Sequence, residues 1–86
     1  MKFTIKHAEL KFTKSDGYVG NVQFHAEHHK EPYEITLFSK DGKEWMYGLH
    51  FLNTPGKEED IFAVEEVIDE NDEYFDMFIQ AAKDAL

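Results

Sequence analysis

Ten carboxylates fall within nineteen residues late in this 86-residue chain: Glu58, Glu59, Asp60, Glu65, Glu66, Asp69, Glu70, Asp72, Glu73 and Asp76. A run of one sign this dense attracts basic partners, repels polyanions and costs some stability through self-repulsion. Its plainest reading is a solvated face that keeps the chain soluble. Its functional reading is a docking surface for a basic protein or, in a sharper form, a phosphate-spaced mimic occupying a nucleic-acid site on another protein. The stretch Asp69 to Glu73 has the acid density of a calcium loop but not its geometry. Tyr74 stands sixth, where that loop needs Gly, and Gln80 twelfth, where it needs Glu.

A second constellation is built from histidines. With a three-residue first loop, Ser15 to Gly17, His7 lies opposite His25, with Glu27 and His29 further along the same outward face. Residues two apart on a strand point the same way, so His7, His25, Glu27 and His29 form the alternative candidate site, for a divalent metal or small ligand. The competing reading is a polar solvent face of an antiparallel sheet. His28 and His50 have no acid or nucleophile beside them in this register and read as structural.

Other chemistries are poorly supplied. There is no Cys, hence no thiolate nucleophile, disulfide or zinc-thiolate cluster. There is no Arg, so the bidentate fork that reads phosphates and guanine edges is missing. Ser15 and Ser39 sit at hairpin ends without a nucleophile elbow, and no phosphate loop or dinucleotide fingerprint occurs. The expectation is a non-enzyme that needs no cofactor. The aromatic residues Tyr18, Phe24, Tyr33, Trp45, Tyr47 and Phe51 lack the cationic groove that a base-stacking platform needs, and a net charge of −9 argues against direct nucleic-acid binding. They read as core. Met1 to Phe12 alternates Lys and His with apolar residues, and no apolar run approaches membrane-spanning length, so a cytoplasmic protein without membrane contact is expected.

The charge is divided along the chain. Residues 1–57 carry eight Lys against seven Asp and Glu, and residues 58–86 one Lys against eleven. The first part reads as a pair of β-hairpins and the second as an acidic segment ending in a helix, all within one domain over 1–86, a length that suits a single core. Ser15-Asp16-Gly17 and Lys40-Asp41-Gly42 are hairpin turns. Three-residue loops at both place Lys14 opposite Tyr18 and Leu37 opposite Trp45. Ala8, Leu10, Phe12, Val22 and Phe24 then share one face, as do Tyr33, Ile35 and Leu37 with Tyr47 and Leu49. Strands are expected at 2–13, 18–30, 33–39 and 44–53. Phe3 and Ile5 have the wrong parity for this face, which calls for a bulge near His7 or for cover from the C-terminal segment.

Asn71 followed by Asp72 and Glu73 predicts a helix start, and Phe75, Phe78, Ile79, Ala82 and Leu86 form its apolar stripe. Residues 58–70 fit two descriptions. Ile61, Val64 and Ile68 suit a helix, but four β-branched residues between Ile61 and Ile68 favour a fifth strand. The expected fold is α+β: an antiparallel β-meander of four to five strands with a C-terminal α-helix packed on one face, the alternative having two C-terminal helices. An uncovered edge strand would open a route to a homodimer, against which Lys2, Lys6 and Lys11 look protective. The expected function is that of an interaction or regulatory module whose acidic third meets a basic protein surface.

Overall fold

The computed structural model describes residues 1–86 as four strands, β1 (Phe3–Thr13), β2 (Gly17–Ala26), β3 (Tyr33–Ser39) and β4 (Met46–Phe51), followed by two helices, α1 (Glu58–Glu70) and α2 (Asp72–Asp84). The strands form one antiparallel sheet in the order β1-β2-β3-β4, and both helices lie on the same face. No helix is long and apolar enough to cross a membrane.

Both hairpins keep the expected faces and shift the expected partners by two residues. Phe12, not Lys14, stands opposite Tyr18, and Tyr47, not Trp45, opposite Leu37. A shift of two preserves side-chain parity, so Leu10, Val22, Phe24, Tyr33, Ile35 and Leu37 are buried as expected, whereas Phe12, expected on the same face, is 53% exposed near the hairpin end. In the first hairpin the loop is Lys14 to Asp16, and Gly17 opens β2 in the left-handed conformation at φ +78°. In the second, Asp41 widens the turn. Its Oδ1 accepts hydrogen bonds from the backbone N–H of Lys43 and Glu44 at 2.8 and 3.1 Å and from the Ser39 hydroxyl at 3.2 Å. These contacts, the two N–H donors foremost, hold its carboxyl below the usual range. An Asx-type turn thus replaces the tight loop, and strand pairing resumes only at Met46.

The misplaced parity of Phe3 and Ile5 is resolved by a bulge, where the β1 register slips between Ile5 and His7. Phe3 then turns inward, its ring centroid 5.2 Å from Phe24 and 5.6 Å from Phe78. The core joins Leu10, Val22, Phe24, Tyr33, Ile35 and Leu37 of the sheet to Val64, Ile68, Phe78, Ile79 and Ala82 of the helices.

Residues 58–70 are helix, which corrects the expected fifth strand. Val64 and Ile68 are buried one turn apart and Ile61 packs beside them, which satisfies three of the four β-branched residues on one helical stripe. Glu58, Glu59 and Asp60 stand at the positive end of the helix dipole. Packing of this stripe outweighs the β-branched preference for strand. Asn71, in extended conformation at φ −129° and ψ 96°, separates the helices. Its side chain does not cap α2 as expected. It reaches back, Nδ2 donating to the Val67 carbonyl at 2.9 Å, and closes the end of α1. Leu86, expected on the apolar stripe, lies beyond α2 and is 71% exposed.

Candidate partner-binding surface

α1 lies against β4, and α2 against β1 and β2. The helix layer carries all ten carboxylates. Asp60 and Glu65 are half-buried, and Glu58, Glu59, Glu66, Asp69, Glu70, Asp72, Glu73 and Asp76 are exposed. No lysine neutralises them, because the only charged pairs within 4 Å are His7 with Glu9 and His50 with Glu34, both on the sheet. Lys83, the one cation of this segment, sits over the Trp45 ring at 5.9 Å.

Helical periodicity sorts these acids into lines. Glu58, Phe62, Glu65 and Asp69 follow one another at intervals of three and four residues and form a single flank of α1. Two observations orient that flank. The Tyr47 hydroxyl of β4 donates a hydrogen bond to Asp69, and the Tyr47 phenol is raised above its ordinary range by burial, by this bond, and by the charges of Asp69 and Glu65. Asp60, on the opposite flank, acts instead on Tyr33 of the interior strand β3, where burial first and the Asp60 charge second push the phenol up to about 12. The line from Glu58 to Asp69 therefore stands on the outer side of the helix layer, beside the edge of the sheet. Phe62, 59% exposed, sits in the middle of it.

An exposed aromatic ringed by carboxylates is a feature that sequence reasoning missed. In a strand over 58–70, Phe62 would share a face with Val64 and Ile68, two and six residues on, and would read as core with them. Only in a helix does it part company with them.

The histidine site does not assemble. The bulge and the shifted register set His7 opposite Gln23 and His25 opposite Thr4, so the expected His7 to His25 pairing is absent. His7 Nε2 meets Glu9 Oε1 at 3.0 Å, and Glu27 Oε1 accepts the Lys2 backbone N–H at 3.1 Å. β2 ends at Ala26, and His29 turns back to share a 2.7 Å hydrogen bond with the Tyr33 hydroxyl. No group of three or more His, Asp or Glu side chains is placed to hold a metal ion. His28, read above only as structural, is exposed in the turn at φ +68°. His50 lies on the open face, its Nε2 2.9 Å from Glu34 Oε1.

No family model, curated protein or solved structure matches this chain.

Proposed function

We propose that this chain is a non-enzymatic, cytoplasmic interaction module that docks a basic protein surface through its acidic helix layer. The observation that supports this reading is a flank of α1 that no cation neutralises, on which Glu58, Glu65 and Asp69 stand with the exposed ring of Phe62. Charge supplies attraction and encounter rate, while an aromatic that loses water on contact supplies the affinity that charge alone lacks. Direct nucleic-acid binding is disfavoured by the same field.

The test is capture of a basic protein by the immobilised chain at low salt, with elution by rising salt. The variant E58Q/E59Q/E65Q/E66Q is expected to lose the captured protein. The variant E9Q/D16N/E27Q/E44Q, which removes as many charges from the sheet and its turns, is expected to keep it. Equal loss in both variants, or capture insensitive to ionic strength, would overturn the reading.

A further inference from the structure

The two edges of the sheet are built differently. β1 carries Lys6 and Lys11, follows Lys2, and is broken by the bulge between Ile5 and His7, all devices that discourage another strand from pairing with it. β4, Met46 to Phe51, has no lysine, no proline, no carboxylate and an unbroken register. Its free side can be read from one hydrogen bond. Leu52 N–H donates to the Pro32 carbonyl at 3.0 Å, which points the polar groups of Leu52 towards β3. Backbone groups alternate along an antiparallel strand, so Met46, Gly48 and His50 also bond towards β3, and Tyr47, Leu49 and Phe51 direct their N–H and C=O groups outward. These groups lie along the sheet edge beside the flank of Glu58, Phe62, Glu65 and Asp69.

We infer that β4 accepts an extended, basic segment of a partner protein as a fifth strand, roofed by this flank of α1. The inference rests on the docking function proposed above and specifies its form. Same-face residues of a strand recur about every 6.7 Å, close to the roughly 5–6 Å between successive turns of α1, so side chains of an added strand that point to the helix side meet the flank in sequence. The matching segment places Lys or Arg against Glu58 and Glu65, with an apolar residue between them against Phe62. Main-chain bonds to Tyr47, Leu49 and Phe51 hold it, and the side chains select it. A second copy of this chain is a poorer occupant. Two-fold pairing of β4 with itself would bring two such acidic flanks side by side, each on a chain of net charge −9.

The probe is the acetylated heptapeptide Thr-Lys-Thr-Val-Thr-Lys-Thr added to the ¹⁵N-labelled chain at low salt. Two isomers of the same charge, N-methylated on the odd or on the even residues, serve as controls. Amide exchange at Tyr47, Leu49 and Phe51 is expected to slow at least tenfold on binding. One isomer, methylated on the residues that bond to β4, is expected to bind at least tenfold more weakly than the other. Equal binding of both isomers, with shifts confined to α1 and α2, would overturn strand addition and leave acidic docking standing. No response of either helix to any of the three peptides would overturn both. Protection of the β4 amides in the chain alone, with a dimer in sedimentation, would assign the edge to a second copy and also overturn the inference.

Discussion

Phe62 and Phe78 are both helix phenylalanines, yet truncating them should have opposite consequences. Phe78 is wholly buried, with ring neighbours Phe24 at 4.6 Å and Phe3 at 5.6 Å. Removing such a ring from a packed core costs about 3–5 kcal/mol, a large share of the roughly 4–13 kcal/mol expected for a domain of this size. Phe62 is 59% exposed, so only about two-fifths of a full burial term of roughly 1.5–3 kcal/mol is at stake. Alanine is also the better helix former by about 0.5 kcal/mol, which leaves a net cost below about 1 kcal/mol. Urea unfolding followed by Trp45 fluorescence and by far-ultraviolet circular dichroism measures both. F78A should lose about 3–5 kcal/mol, and F62A less than about 1 kcal/mol while losing affinity for the basic partner. A loss above about 2 kcal/mol in F62A would show the ring to be part of the core, and the argument for an anchor among the acids would fail.

Alkaline pH should destabilise the fold. The Tyr33 phenol is raised from 10 to about 12, so its contribution is complete below pH 10 and is lost as pH rises through 12, the loss reaching between about 1 and 2 kcal/mol by pH 11. Tyr47 is shifted in the same direction. Ultraviolet titration of the phenols should show late ionisation coincident with loss of circular dichroism; normal ionisation of all four tyrosines in the folded chain would contradict this. Gly17 and Gly42 share a φ of +78° but differ in surroundings. A Cβ at Gly17 would lie 2.6 Å from the Ser39 carbonyl oxygen, and one at Gly42 would touch the Tyr18 ring at 3.1 Å. G42A should cost roughly the 1–2 kcal/mol of a left-handed side chain, and G17A clearly more, as read from urea midpoints.

The histidine site was lost to register, a property that composition does not carry. Parity along β1 and β2 is set by which residues are apolar, so the faces were legible. The pairing of His7 with His25 needed in addition the loop ends and the position of the bulge. Asp41 shows why those are hard to read. A single carboxylate that binds two backbone N–H groups and a hydroxyl turns a three-residue loop into a wider one, and nothing in the spacing of Lys40, Asp41 and Gly42 distinguishes the two.

By itself the chain determined its segregated charge, the two Asp-Gly turns, the inward and outward faces of the strands beyond the bulge, and the helix after Asn71. These are local properties, decided by neighbours two to four residues away. Tertiary structure decided that residues 58–70 coil instead of extending. The reason is that Val64 and Ile68 bury against the sheet by standing one turn apart on the helix that packs on β4. That choice moved Phe62 out of the core line and into solvent among Glu58, Glu65 and Asp69, and it left β4 without a neighbour on its outer side.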